Sequence, residues 1–359
     1  MPIVPVFGHD ELRRRLADAH VRAALPGSIL FHGPRGVGKQ RLALWLGQLL
    51  LCSSPAAEPC GKCRHCGFVQ ELRHPDISWF FPRPRLKDSD PDLADVREDY
   101  ADAIAERVGD NGLYAPPSGA EGIFIASVRA LVQQASLSPA LAQRKVFIVG
   151  DAERMVPQEG SEQAANAFLK LLEEPPEDTT VIVTSSEAGA LLPTIRSRLT
   201  AFRVAPLAGA DVKAFLEHPA VAKRLATEDV PRSTEERLRF AGGAPGRLLW
   251  GTEWSLAMET AERMLAGVGS RMGGSQRYDV AWQQASSRAR GSFADTLDAL
   301  TVMLHDRARE AARIGADRRA LGAARAMDAV ELAKERIATN VNPQLITVNL
   351  LRELEEFLA

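Results

Sequence analysis

The stretch Phe31-His-Gly-Pro-Arg-Gly-Val-Gly-Lys-Gln40, FHGPRGVGKQ, decides the fold of this 359-residue chain. Gly33, Gly38 and Lys39 satisfy the pattern G-x-x-x-x-G-K-[ST]. In that pattern glycine backbone N–H groups, here including Gly36, and the N-terminus of the next helix cradle a polyphosphate. Lys39 is placed to reach the β- and γ-phosphates. Gln40 breaks the pattern where a small hydroxyl completes the magnesium octahedron, and an amide oxygen is a poorer ligand there.

Outward from the loop, Ser28-Ile-Leu-Phe31 is a short apolar run, and Gln40 to Leu51 has the composition of a buried helix. Asp76-Ile-Ser-Trp-Phe-Phe81, Lys145-Val-Phe-Ile-Val149 and Thr180-Val-Ile-Val-Thr184 are further strand candidates. The last two are apolar throughout, as strands covered on both faces are. Gln163 to Glu173, between them, carries apolar residues at helical spacing. Such alternation over 1–206 predicts an α/β domain with a mainly parallel sheet, of the P-loop NTPase type.

Hydrolysis needs a second element, a strand ending in Asp-Glu, where Asp holds magnesium and Glu orients water. Val149 is followed by Gly150-Asp-Ala-Glu153. In the better register Gly150 stands at the metal position and Asp151 at the base. Shifted by one, Asp151 serves the metal and Ala152 replaces the base. Neither register keeps both carboxylates, and Glu153 reads as a solvated helix-start residue. Gln40 and Gly150 count as two independent losses and predict no intrinsic ATPase turnover. Binding of ATP or ADP without turnover is compatible with the same residues.

A formal charge of −2, with 45% hydrophobic and 25% charged residues, describes an ordinary globular protein. It gives no global drive towards nucleic acid or anionic membrane. The N-terminus lacks the apolar run of a signal peptide, and no stretch is long enough to span a bilayer, so a cytoplasmic location is expected. All 4 cysteines fall in the run Cys52-x7-Cys60-x2-Cys63-x2-Cys66. Four thiolates form a closed tetrahedral zinc site of the structural type, with Lys62, Arg64 and His65 offsetting its charge. Unligated or redox thiols are the alternative, and His65 is a possible substitute for one cysteine.

Residues 83–122 are acidic, polar and rich in Pro, Gly and Asp, with one weak helix around Asp95 to Val108. They read as a surface insertion, partly disordered. Leu207 onwards carries no convincing strand. Ala210 to Leu216 and Thr234 to Phe240 are short helix candidates, and Gly242-Gly-Ala-Pro-Gly246 breaks the chain. From Glu253 to Leu358 the sequence is helix-period Ala, Leu, Arg and Glu, with breaks at Gly267–Gly274 and Asn340–Pro343. The domains expected are 1–206, nucleotide-binding-like with a zinc module at 52–66; 207–250, a small helical lid; and 251–359, helical.

GPRGVGK, the four-cysteine module, HPD at His74–Asp76, SLSPALAQRKVFIV at Ser136–Val149, ANAFLKLLEEPPEDTTVIVTS, LLPTIRSR, GGAPGR at Gly242–Arg247 and NVNPQL at Asn340–Leu345 occur together and in order. This set resembles the delta-prime subunits of bacterial DNA polymerase III, clamp-loader members of the AAA+ superfamily. The resemblance covers nearly the whole chain outside 83–122. It implies a hetero-pentamer with gamma/tau motor subunits and a delta subunit, which opens a sliding clamp and places it on primed DNA in replication. By the same resemblance the chain is part of the polymerase III holoenzyme, a DNA-directed DNA polymerase and nucleotidyltransferase.

The resemblance also assigns roles. The family's Ser-Arg-Cys motif matches Ser197-Arg198-Leu199, so Arg198 becomes an arginine finger for a neighbour's γ-phosphate, with the cysteine missing. Gly246-Arg247 matches the second sensor of a nucleotide site that is degenerate here, and Thr184 or Ser185 falls at the first. Zinc would be a surface staple, and the helical tail the oligomerising collar. Two other readings stand beside this one. A catalytically active AAA+ ATPase of the motor-subunit type is opposed by Gln40 and Gly150. A zinc-dependent nucleic-acid-binding module is opposed by the mild acidity and the closed cysteine set.

Overall fold

A computed structural model of the chain describes residues 3–88, 91–117, 121–155, 162–269, 290–338 and 342–358. It divides into two compact units, Met1–Leu249 and Trp250–Ala359. The first is built on five strands: β1 (Ser28–His32), β2 (Ile77–Phe80), β3 (Lys145–Val149), β4 (Thr179–Ser185) and β5 (Thr200–Arg203). They form one parallel sheet in the order β2-β3-β4-β1-β5. Every residue of β3 and β4 is buried, which explains their uninterrupted apolar runs. β5 was not expected. Its sequence TAFR is an edge strand with only Phe202 half-buried, so it carries no apolar run.

The helices of this unit are α1 (Asp10–Val21), α2 (Lys39–Leu51), α3 (Arg64–Gln70), α4 (Leu93–Gly109), α5 (Ile125–Ala135), α6 (Glu162–Glu173), α7 (Pro193–Arg196), α8 (Gly209–Glu217), α9 (Pro219–Leu225) and α10 (Thr234–Ala241). α2 packs across β1, β3 and β4, and α5 against β2 and β3. Leu42, Leu46 and Leu49 of α2 are fully buried against the sheet core with Leu30, Phe147 and Val183. Because the strands are parallel, the segments after β1, β2, β3 and β4 all emerge at one edge. That edge is where open α/β sheets bind ligands.

Two family motifs turn out to be structural partners. The Asp76 carboxylate accepts hydrogen bonds from the backbone N–H groups of Ala140, Leu141 (2.8 Å) and Ala142 (2.6 Å), while its own N–H donates to His74 Nδ1 (3.0 Å). Lys145 Nζ donates to the carbonyls of Ala135 (2.7 Å) and Leu137. HPD and SLSPALAQRK therefore hold one turn in place through the buried side chains of Asp76 and Lys145.

Residues 83–122 lie largely at the surface, yet part of the segment is docked. Residues 89–90 and 118–120 lie outside the described residues; the others include a helix with one buried stripe. Arg83 and Gly122 pair backbone to backbone (2.9 and 3.0 Å) and close its neck. Asp92 caps α4 by accepting from the N–H groups of Ala94 and Asp95. Val96, Tyr100 and Ala103 of α4 are buried, and Tyr100 donates to the Phe81 carbonyl (2.8 Å). A sparse apolar stripe is enough to dock an acidic helix when two ends of a sheet strand await cover.

In the second unit α11 (Gly251–Gly269), α12 (Arg290–Arg313), α13 (Asp317–Ala338) and α14 (Pro343–Leu358) pack on one another. Leu297, Leu300, Leu304, Val330, Leu350 and Leu354 fill their core. Of the breaks expected at Gly267–Gly274 and Asn340–Pro343, residues 270–274 and 340–341 lie outside the described residues, 267–269 still belong to α11, and Pro343 opens α14. A further break, between α12 and α13, is turned by Gly315 at a positive φ of 71°. No helix among the described residues is long and apolar enough to cross a membrane.

Candidate functional site

The glycine loop follows β1, and Gly36 (φ 79°) and Gly38 (φ 99°) hold conformations that L side chains avoid. Lys39, the first residue of α2, is buried. Its Nζ donates to the carbonyls of Gly33 and Pro34 (both 2.8 Å) and to Ser186 Oγ (2.9 Å). The ammonium thus engages the loop's own oxygens. Two further contacts brace the loop, one from His9, which no motif announced, and one from Gly246 of GGAPGR. His9 Nε2 lies 3.0 Å from the Val37 carbonyl, and burial lowers the pKa of this imidazole. Gly246 donates its N–H to the Gly36 carbonyl (2.9 Å), and a Cβ there would lie 2.7 Å from Gly36 Cα, so only glycine allows the approach.

Gln40 is saturated. Its Nε2 donates to Asp151 Oδ2 (2.8 Å), and its Oε1 accepts from Trp79 Nε1 and from the Tyr114 hydroxyl (both 3.1 Å). A Cβ on Gly150 would sit 2.5 Å from Gln40 Oε1 and 2.6 Å from its Cδ. Gln40 therefore fills the space that an aspartate at 150 would need. The two losses expected to be independent are one steric arrangement. Asp151, at a positive φ of 49°, takes a hydrogen bond on its carboxylate from Gln40 and donates its own N–H to Thr184 Oγ1 (3.2 Å).

Glu153 corrects a second expectation, because it is not solvated. Its Oε1 accepts from the Ser186 N–H (3.0 Å), and burial, reinforced by the nearby Asp151 charge, pushes its pKa up. Asp151, Glu153, Lys39 and Ser186 thus form a connected polar group at the sheet edge.

The insertion supplies part of this site. Arg107 of α4 lies 3.3 Å from the Phe81 ring centroid, 3.8 Å from that of Tyr114 and 4.3 Å from that of Trp79. Burial brings its pKa down to about 10. Arg41 Nη2 donates to the Gly112 carbonyl (2.5 Å), and burial lowers its pKa too. The Nη1 atoms of Arg41 and Arg107 are buried without a hydrogen-bond partner among the described residues. Each such group costs about 1–3 kcal/mol. Tyr114 and Arg107 were missed because a lone aromatic and a lone arginine in an acidic stretch carry no periodic signal.

The cysteines converge. The sulfurs of Cys52, Cys60, Cys63 and Cys66 all lie within 4.8 Å of one another. A tetrahedral Zn–S4 centre, with bonds of about 2.3 Å, needs sulfurs about 3.8 Å apart, so the set fits after a small contraction. Backbone N–H groups aim at the sulfurs: Cys60 to Cys52 Sγ (3.3 Å), Cys63 to Cys60 Sγ and Cys66 to Cys63 Sγ (both 3.4 Å). Burial pushes the Cys63 thiol up, but N–H donors from Cys66 and Ser53 and the neighbouring sulfurs bring it down to about 6. His65 turns away from the sulfurs to His74, Nδ1 to Nε2 at 2.8 Å, which leaves the four thiols as the ligand set.

The remaining sequence-assigned residues lie apart from these two sites or face inward. Arg247 is buried, with Nη1 donating to the Ala241 carbonyl (3.1 Å) at the end of α10. Arg198, just after α7, is part-exposed. It donates through Nε to Glu173 Oε2 (3.1 Å) and through Nη1 to the Thr194 carbonyl (2.9 Å).

With this geometry in place, comparison with known proteins gives the lineage. The family described as "DNA polymerase III, delta subunit" matches residues 8–208, more than half of the chain. The Pseudomonas aeruginosa DNA polymerase III subunit delta' is 32% identical over 225 residues, 62% of this chain and 55% of that protein. The Bacillus subtilis delta' subunit is 27% identical over 206 residues, 57% of this chain and 47% of its relative. Escherichia coli subunit tau is 27% identical over 269 residues, 75% of this chain and 35% of that protein. The match thus spans about half the length of the delta' relatives or less. Among solved structures, a DNA polymerase III gamma subunit-related protein from Thermotoga maritima is similar at 18% identity with a TM-score of 0.36, covering 98% of this chain and 100% of that one.

Proposed function

This chain belongs to the delta-prime family of DNA polymerase III clamp-loader subunits, and we propose that it is a non-hydrolysing member that completes a neighbour's ATPase site. One observation carries the reading. Gln40, held by Asp151, Trp79 and Tyr114, fills the space where a magnesium-binding aspartate at 150 would stand. Without that metal the β- and γ-phosphates lose the ion that neutralises their developing charge.

The division of labour follows from membership. Residues 1–206 form the AAA+ body, 207–250 the lid and 251–359 the collar that joins a hetero-pentamer with gamma/tau and delta subunits. Through that assembly the chain acts on the sliding clamp and primed DNA. Arg198 is the residue lent to the adjoining subunit, because a planar, permanently charged guanidinium suits the charge on a transferring phosphoryl group. Cys52, Cys60, Cys63 and Cys66 hold one zinc ion that staples the segment between α2 and α3; zinc supplies folding energy there and no chemistry. Gly33, Gly36, Gly38, Lys39, Gln40 and Arg247 persist as the frame of a cradle that does not turn over.

The test is direct. The purified chain, with magnesium and primed DNA, is expected to release no phosphate from ATP above the background of its own Lys39→Ala variant. Turnover that Lys39→Ala abolishes makes the chain an active AAA+ ATPase instead.

A further inference from the structure

The cradle's metal side is closed by a segment that the phosphate-loop pattern does not contain. The limb from Arg107 to Tyr114 leaves the end of α4 and runs back across the sheet edge. Four contacts fasten it there. Tyr114 donates to Gln40 Oε1 (3.1 Å), and Arg41 Nη2 donates to the Gly112 carbonyl (2.5 Å). Val4 donates its N–H to the Asn111 carbonyl (2.8 Å). Arg107 lies against Phe81, Tyr114 and Trp79, with Trp79 and Tyr114 also meeting edge to face at 5.6 Å.

The limb's chemistry is unusual for a surface insertion. Two guanidinium groups, Arg41 and Arg107, are buried with an unmet Nη1 donor each. Tyr114 is half-buried, and its hydroxyl ends on the one side chain that departs from the phosphate-loop pattern. The partners of Gln40 therefore come from three places: β2 through Trp79, the segment after β3 through Asp151, and the insertion through Tyr114. Only the last of these is foreign to a nucleotide-binding sheet edge.

We propose that residues 107–114 are an internal plug: Tyr114 clamps Gln40 over the space in front of Gly150, and Arg107, held between aromatic rings, fixes Tyr114. The plug excludes magnesium-bound nucleoside triphosphate from the cradle. It rests on the reading of the glycine loop as an inactive nucleotide cradle, and adds that restoring a carboxylate at position 150 alone does not reopen it while Tyr114 holds Gln40 in place. Tyr114 is a positioning residue here, acting through Gln40.

Two full-length chains decide this, both keeping Gln40: one carries Gly150→Asp and the other adds Tyr114→Ala, which frees Gln40 to leave the space in front of residue 150. The readout is magnesium-dependent binding of a fluorescent ATP analogue. The chain with the added Tyr114→Ala is expected to bind at least about tenfold tighter than the chain without it. Equal affinity in the two, including no binding by either, overturns the plug. Because Tyr114→Ala empties a half-buried site, Tyr114→Phe in the otherwise unaltered chain serves as a second measure. Losing one hydroxyl while keeping the ring should speed hydrogen exchange of the amides at the start of α2 several-fold, with the melting temperature of the C-terminal helices unmoved. Unchanged exchange there also overturns the plug. ATP turnover by the unaltered chain would end the inactive-cradle reading, yet leave the comparison between the two binding variants intact.

Discussion

A side chain at position 150 and the Gln40 carboxamide compete for one volume. Gly150→Ala puts a methyl within 2.5–2.6 Å of Gln40 Oε1 and Cδ. Overpacking of this kind costs about 1–3 kcal/mol, and Gln40→Ala in the same chain should recover most of it. Urea unfolding of the two single variants and the double gives the coupling directly; additive losses would mean that the pair is not in contact. Glu153 makes a second test. Its pKa is raised in the folded chain, so between the ordinary value of 4.5 and the raised one the native state holds more protons than the unfolded state. Stability contributed at this site is therefore lost as pH rises through that window. Glu153→Gln, which keeps an acceptor for the Ser186 N–H, should gain on the parent as pH climbs above 4.5 and then level off. Urea midpoints at a series of pH values measure it, and a difference independent of pH would mean that Glu153 titrates normally. Gln40 and Gly150 were each legible as departures from a pattern. Their contact was not, because only the register of β1, β4 and β3 brings them side by side.

Among the elements, legibility followed burial. β3 and β4 were visible because both faces are covered and every residue is apolar or buried. β5 was not, since an edge strand with one half-buried residue leaves no trace in the hydropathy. α4 was seen only faintly, and its docking not at all, because Val96, Tyr100 and Ala103 make a stripe too thin to distinguish from a solvated helix. The zinc module was the opposite case. Its tight spacing, Cys60-x2-Cys63-x2-Cys66, already implied convergence, and Cys52 closes the set from the end of α2. The reduced, chelator-free chain is expected to hold about one equivalent of zinc, and Cys66→Ser to lower that occupancy sharply, as a closed four-thiolate site requires. Metal analysis with a thiol titration checks both. Metal-free protein with four reactive thiols would turn the cluster into a redox or merely packed group.

For the whole molecule the proposed finger, Arg198, is the side chain to test, and the isolated chain pairs it with Glu173. Arg198 is tied to Glu173 Oε2 at 3.1 Å, with 30% of the arginine and 58% of the glutamate side chain exposed. A pair this exposed is worth about 0–1 kcal/mol, so a triphosphate on an adjoining subunit, carrying several negative charges, outcompetes it easily. The Thr194 carbonyl meanwhile holds the base of the guanidinium near the end of α7, which limits how far it swings. A finger of this kind is worth about 10³–10⁵ in turnover where it serves the reacting site. In a reconstituted loader Arg198→Ala should leave assembly intact, because the helices proposed as the collar lie in the other unit, and should remove at least the turnover of the one site the finger is proposed to face. If the sites fire in a coordinated order, the loss extends to all of them, and the size of the deficit separates independent from coordinated firing. Glu173→Ala discriminates the finger from a structural ion pair: it frees Arg198 without removing it, so loader turnover should hold or rise. A loader that loses equal activity from Glu173→Ala and Arg198→Ala would make the pair a packing device and leave the neighbour's site with no arginine from this chain.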